Sequence, residues 1–172
     1  DLQVSSFQTG KAKIRNAASA RIWGLEGNMR YRATEALTLN VGLAYTNARY
    51  RSFLNAPYYA YCDPVAPATS DMWCVPVALG GSGPGGLTQT TIDGSGLRMQ
   101  RAPDFTGTLG VTYRTPLAAG ELTLSGNLYY TSKFYHDPTQ QFLQKGYEQL
   151  SLRAQWEDPS KRFTLAVFGD NV

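Results

Sequence analysis

The residues of this chain whose types could do chemistry are few, and their spacing decides what each can do. There is one histidine, His136, in the run Phe134-Tyr135-His136-Asp137-Pro138. A metal centre needs several ligands converging on one point, and a triad needs a base oriented by an acid and facing a nucleophile. A lone histidine in a loop-like run supplies neither. A solvated loop tip is its expected role, with contact to a bound metal complex the sharper alternative. The run Gly80-Gly81-Ser82-Gly83-Pro84-Gly85-Gly86 lacks the Gly-Lys-Ser/Thr ending of a phosphate loop and no strand-to-helix pattern surrounds it, so it reads as flexible loop. Cys62 and Cys74 share one Pro/Gly-rich segment without the Cys-x-x-Cys spacing of zinc or redox sites. A local disulfide made in an oxidising compartment is the expected state; two free thiols is the alternative. No metal and no cofactor is expected, and the chain is not expected to be an enzyme.

The same segment carries Tyr58, Tyr59, Tyr61 and Trp73. On a loop pinned by a disulfide, such rings offer rigid amphipathic contact to an aromatic or sugar-bearing ligand. The competing reading is a loop packed on itself. The net charge of +3 is small and scattered, so nucleic acid is not an expected partner. The basic clusters Lys11/Lys13/Arg15 and Arg98/Arg101 are expected in loops, as solvated surface.

The elements that must position these residues announce themselves by period two. The apolar positions run Trp23, Leu25, Gly27, Met29, Tyr31; then Leu37, Leu39, Val41, Leu43, Tyr45. Further on they run Phe105, Gly107, Leu109, Val111, Tyr113, and Leu122, Leu124, Gly126, Leu128, Tyr130. Leu150, Leu152, Ala154, Trp156 and then Phe163, Leu165, Val167, Gly169 complete the series. Intervening positions are mostly polar, such as Glu26, Arg30, Arg32, Asn40, Asn127 and Arg153. Side chains on a strand alternate between faces, so each segment predicts a strand with one apolar and one polar face. Residues 1–9 predict a further strand with weaker alternation. Connections alternate too: short at Thr34–Ala36, Thr115–Gly120 and Asp158–Arg162, long at about 47–100 and at Phe134–Lys145.

A soluble sandwich would also alternate, but it has no reason to sort its aromatics into belts. Here Tyr31, Tyr113, Trp156 and Phe163 fall beside the short turns, and Trp23, Tyr45, Phe105 and Tyr130 near the other end. Trp23 and Tyr31, like Phe105 and Tyr113, stand eight residues apart, about 26 Å along a strand at ~3.3 Å per residue. Tilted by roughly 40°, that approaches the ~25 Å apolar band of outer-membrane barrels, whose turns are short on one rim and whose loops are long on the other. The eight aromatics are expected to form the membrane girdle. The expected fold is all-β: an antiparallel up-and-down transmembrane β-barrel, of which residues 1–172 are a single segment of about seven strands, with a long extracellular loop over about 47–100. Open sheet edges are not tolerated in lipid, so further strands are expected beyond this segment.

Four stretches resemble the TonB-dependent outer-membrane receptors: Ala20-Arg21-Ile22-Trp23-Gly24-Leu25-Glu26, with its Gly-x-Glu element; Leu37 to Tyr50; Arg101-Ala102-Pro103-Asp104-Phe105; and Gly169-Asp170-Asn171-Val172. The resemblance implies a barrel of about 22 strands filled by a plug, placed in the outer membrane of a Gram-negative bacterium. It implies uptake of a scarce ligand such as a ferric siderophore, with the lipid bilayer, the TonB complex acting through the plug, and a small-molecule ligand as partners. An iron chelate is one candidate for that ligand. The alternative class is a non-transport outer-membrane barrel or secreted β-domain with an adhesive or structural role. The proposed ligand contacts are Tyr58, Tyr59, Tyr61, Trp73 and His136.

Overall fold

The computed structural model describes residues 2–8, 11–17, 19–61 and 87–172. In chain order the strands are β1 (Leu2–Gln8), β2 (Lys11–Ala17), β3 (Ser19–Arg32), β4 (Leu37–Ser52), β5 (Ala56–Tyr61) and β6 (Leu87–Ile92). There follow β7 (Phe105–Leu117), β8 (Gly120–Thr131), β9 (Phe134–Tyr135), β10 (Leu143–Gln144), β11 (Tyr147–Glu157) and β12 (Thr164–Asp170). No helix occurs among the described residues, and the fold is all-β and antiparallel. The chain divides into two compact units, one of Asp1–Ile22, Asn47–Ala102 and Tyr135–Leu143, the other of Trp23–Thr46, Pro103–Phe134 and Gln144–Val172.

The second unit is built on a six-stranded sheet in the order β12-β11-β8-β7-β4-β3. Its register joins the apolar sets that alternation predicts. Across β4 and β7, Leu39 faces Val111, Val41 faces Leu109 and Tyr45 faces Phe105. Across β7 and β8, Leu109 faces Leu128 and Tyr113 faces Leu124; across β8 and β11, Leu128 faces Leu150 and Leu122 faces Trp156. Ala154 then faces Val167, and Trp156 faces Leu165. One apolar face therefore runs through these paired strands, because a slip of one residue anywhere would throw a whole set to the other side. The polar partners are equally consistent: Thr112 with Ser125, Gly110 with Asn127, Ser125 with Arg153. Gly24 serves close approach: a Cβ there would lie 2.5 Å from the Tyr45 carbonyl oxygen.

The first unit holds the buried apolar side chains. Tyr50, Phe53 and Ala56 form its core, with Ala20, Ile92, Leu97 and Met99 packed against them, and the Tyr50 and Phe53 rings lie 4.9 Å apart. A tight turn closes it: Gly96, at φ +81°, donates its N–H to Tyr50 O at 2.7 Å, and Ser95 Oγ accepts from Phe53 N–H at 2.9 Å.

Three features differ from the sequence reading. β4 runs past Tyr45 to Ser52 because its pattern inverts: beyond Thr46 the even positions Ala48 and Tyr50 are buried, while the odd positions Arg49 and Arg51 are exposed. An alternation count that holds one parity stops where the faces exchange roles. Within the expected loop, β5 and β6 pair from Ala56↔Ile92 to Tyr61↔Leu87. Lys11, Lys13 and Arg15 lie in β2, paired with β1 from Leu2↔Ala17 to Gln8↔Lys11, and not in a loop as expected. There the partner strand supplies the hydrogen bonds and overrides the poor strand propensity of lysine.

Candidate functional site

The apolar face of the six-stranded sheet is bare. Leu25 is 77% exposed and Leu165 68%, and the buried hydrophobic side chains Ala48, Tyr50, Phe53 and Ala56 all belong to the other unit. Large aliphatic side chains left to water at this density cost about 1.5–3 kcal/mol each relative to burial, so such a face requires an apolar environment. Its aromatics are grouped. Trp23 and Tyr45 meet edge-on at 5.5 Å between centroids, and Phe105 and Tyr130 are tilted against each other at 6.0 Å. These four lie toward the long-link end. At the short-turn end, Tyr31 and Tyr113 are exposed, and the Trp156 Nε1–H donates to Leu117 O at 3.1 Å. Phe163 falls just outside β12, in the turn, where its N–H donates to Asp158 Oδ1 at 2.7 Å; its ring is 71% exposed.

In the other unit, Tyr58 and Tyr59 sit on β5, opposite Thr90 and Gln89. As consecutive strand residues they point to opposite faces of the hairpin, so the two rings do not form one surface. Both are half-buried. Tyr61 ends β5, while Cys62, Trp73 and Cys74 lie outside the described residues.

His136 follows β9 and is exposed, with its N–H donating to Phe142 O at 2.9 Å. Its loop is organised by the next residue. The Asp137 carboxylate accepts from the N–H groups of Thr139 (3.1 Å), Gln141 (3.1 Å) and Phe142 (2.7 Å), and from the Thr139 hydroxyl (2.8 Å). Burial works against ionisation of Asp137, but these hydrogen bonds outweigh it and hold the carboxyl below its ordinary range. The loop is fastened to β5. Thr139 Oγ1 donates to Pro57 O at 2.9 Å, and the Gln141 side chain pairs with both main-chain groups of Tyr59. The structure thus joins the His136 loop to the Tyr58–Tyr59 hairpin.

The fastening residues Asp137, Thr139 and Gln141 were missed by sequence reasoning. Asp137-Pro138-Thr139 carried a signal, since an aspartate readily takes the N–H two residues on. Nothing local marks Gln141, whose partner is 82 residues away.

Charge is unevenly shared. The first unit contains eight Lys and Arg against five acidic residues, and the second eight against eight, so the net charge of +3 belongs to the first. Among the described residues no group of three or more His, Cys, Asp and Glu could hold a metal ion.

The solved structures similar to this chain include the siderophore receptor PiuA from Acinetobacter baumannii, at a TM-score of 0.56 and 17% identity. That match covers 87% of this chain and 17% of PiuA. Another is BauA, the ferric preacinetobactin receptor of Acinetobacter baumannii, at a TM-score of 0.58 and 16% identity, covering 98% of this chain and 20% of BauA. At such identities the likeness is one of fold, and the chain spans about a fifth of each receptor's length. No curated protein is a significant match. The family described as TonB dependent receptor-like, beta-barrel matches residues 1–172. With its antiparallel sheet and continuous apolar face, the chain belongs to the TonB-dependent receptor-like β-barrel family.

Proposed function

We propose that this chain is part of the transmembrane barrel of a Gram-negative outer-membrane receptor that imports a scarce ligand with energy delivered through TonB. The observation that carries the reading is the bare apolar face with two aromatic groups, held in register across the sheet of a chain in this family. Lipid satisfies that face: acyl chains take Leu, Val and Met, and headgroups take the ring edges of Tyr and Trp. The family supports uptake, and by their descriptions PiuA is a siderophore receptor and BauA a ferric preacinetobactin receptor. A ferric siderophore is accordingly the ligand class we assign. The TonB complex would act through a region outside this chain.

In this reading residues 47–100 form an extracellular loop, and Tyr58, Tyr59, Tyr61, Trp73 and His136 contribute to the outer ligand surface. Cys62 and Cys74 are bonded within it, which the periplasm permits. The support on the geometric side is the fastening of the His136 loop to β5, which would hold two ligand-contacting segments together.

The test is genetic and physical together. The full-length gene, expressed in an iron-limited Gram-negative host, should fractionate with the outer membrane. It should restore growth on a ferric siderophore only when tonB is intact. Growth that ignores tonB would remove the energy-coupled reading, and recovery of the protein in soluble fractions would remove the barrel. Peptide mapping without reductant should find the Cys62 and Cys74 peptides linked; full thiol labelling would refute the disulfide.

A further inference from the structure

At the short-turn end of β3, β4 and β7 the polar face of the sheet opens into a cleft of about 100 Å3. Arg30 and Arg32 enter it from β3, Thr38 from β4, and Thr112 and Arg114 from β7, with Glu35 on the connecting turn. The scaffold is fixed. Thr38 and Thr112 are register partners, and Arg114 N–H donates to Ala36 O at 2.9 Å. The turn itself is pinned by Thr34 Oγ1, which accepts from Ala36 N–H at 3.2 Å and Leu37 N–H at 3.0 Å.

Three guanidiniums share this cleft with one carboxylate. Among the described residues none of the three has a hydrogen-bond or ion-pair partner for its side chain, Glu35 included. Like charges on neighbouring strand positions repel. The unit as a whole carries eight basic and eight acidic residues, so the excess positive charge of this cleft is offset only elsewhere in the unit, not within the cleft itself. Arg30 and Arg32 share a face by alternation, and Arg114 joins them from a different strand. Two threonine hydroxyls add donors between them. A guanidinium is a rigid fork that matches two oxygens of a carboxylate or phosphate, and threonine hydroxyls can complete the shell.

We infer that Arg30, Arg32 and Arg114, with Thr38 and Thr112, form an oxyanion-binding site for a phosphate or carboxylate group. Glu35 sets its affinity from the rim by repulsion. The inference stands on the sheet's polar face and does not depend on the uptake reading.

Titration of the full-length protein in detergent micelles, with inorganic phosphate in one arm and a tri-glutamate peptide in the other, tests it. At least one probe should bind, and binding should weaken at least fivefold between 50 and 200 mM salt, because added salt shortens the Debye length (about 10 Å at 0.1 M) and screens the attraction between exposed charges. Arg30→Gln/Arg32→Gln/Arg114→Gln should lower affinity more than tenfold, while Glu35→Gln should raise it severalfold. Should the triple variant fail to fold, Arg32→Gln alone should still weaken binding severalfold with the thermal transition unchanged. Preference for the peptide would identify an acidic polypeptide as the source of the oxyanion, and equal binding a free anion. Binding of neither probe, or affinity unmoved by both the arginine and the Glu35 substitutions, would overturn the site.

Discussion

The side chain of Gln141 pairs with the main chain of Tyr59 as a neighbouring strand would: Oε1 accepts the Tyr59 N–H at 2.8 Å, and Nε2 donates to the Tyr59 carbonyl at 2.6 Å. The two bonds satisfy both backbone groups of one residue of β5 from a loop 82 residues away in sequence.

Replacing Gln141 by Ala should therefore free the Tyr59 amide first. A part-buried hydrogen bond contributes about 0.5–1.5 kcal/mol net, so loss of the pair should speed exchange at Tyr59 roughly tenfold. Hydrogen-exchange mass spectrometry of the peptide containing β5 would read this. Gln141→Glu should do more harm than its isosteric shape suggests, because its carboxylate would face the Tyr59 carbonyl. Unchanged exchange in both variants would show that the clip is not formed in solution.

Asp137 gives the same loop an acid limit. Its carboxyl is held below the ordinary range in the folded loop, where burial is outweighed by hydrogen bonds from Phe142, Gln141 and Thr139. A depressed folded pKa contributes stability above the free carboxyl's value of about 3.9 and loses it as pH falls through the folded value. Corrected for intrinsic rates, exchange at Thr139, Gln141 and Phe142 should rise as pH drops below about 4. Asp137→Asn should remove that acid step and leave the loop looser at neutral pH.

How far the molecule was legible depended on whether a pattern was local. The strands of the six-stranded sheet were visible because Leu37 to Tyr45 and Phe105 to Tyr113 alternate without a break, and the register pairs those two runs end to end. The continuation of β4 was hidden where Tyr45 gives way to Ala48 and Tyr50 as the apolar positions, since the buried side changes there. β2 was hidden by its Lys11, Lys13 and Arg15, whose pairing depends on β1 and not on their own propensity. For the candidate site, the aromatic segment stood out by composition, whereas its fastening through Gln141 is a long-range contact with no periodic signature.

The two faces of β7 separate lipid from a polar interior in a single pair of substitutions. Leu109 lies four residues from each of Phe105 and Tyr113, midway along the apolar face, and pairs with Val41 and Leu128. Leu109→Arg should cost about 2–4 kcal/mol in a bilayer, the penalty for a charge at the midplane of a lipid-facing strand. Thr108→Arg, one residue away on the other face, should cost clearly less than Leu109→Arg, because a charge facing a wet interior keeps its hydration and the depth-dependent penalty belongs to the lipid face. Urea unfolding from phospholipid vesicles measures both. Equal costs would mean that the apolar face does not meet lipid.

The turn between β7 and β8 carries removable strain. Leu117 and Gly120 are register partners, so Ala118 and Ala119 close the hairpin, and Ala118 adopts φ 52°. An alanine in the left-handed region costs about 1–2 kcal/mol, part of which glycine recovers while adding freedom to the unfolded chain. Ala118→Gly should stabilise the protein by about 0.5–1 kcal/mol, seen as a higher urea midpoint at constant slope. A lower midpoint would mean that the Ala118 methyl makes contacts worth more than the strain.

Tyr58 and Tyr59 should not contribute equally to ligand capture. Adjacent on β5, they face opposite sides of the β5–β6 hairpin, and one ligand surface can engage only one side directly. Tyr59 is also the residue whose backbone Gln141 holds. Truncating a well-buried aromatic anchor costs about 2 kcal/mol or more of binding energy, whereas a ring on the far side of the sheet costs little. Affinity for the ferric siderophore that supports growth, measured on whole cells with matched receptor display, should fall at least tenfold for either Tyr58→Ala or Tyr59→Ala and less than threefold for the other. If Tyr59→Ala is the weak variant, Gln141→Ala should disclose its role, since a hairpin held in place for Tyr58 would lose affinity when the clip opens. Equal and large losses would place both rings against ligand and require the hairpin to insert edgewise into it. Equal and negligible losses would leave the hairpin without a direct part in ligand capture.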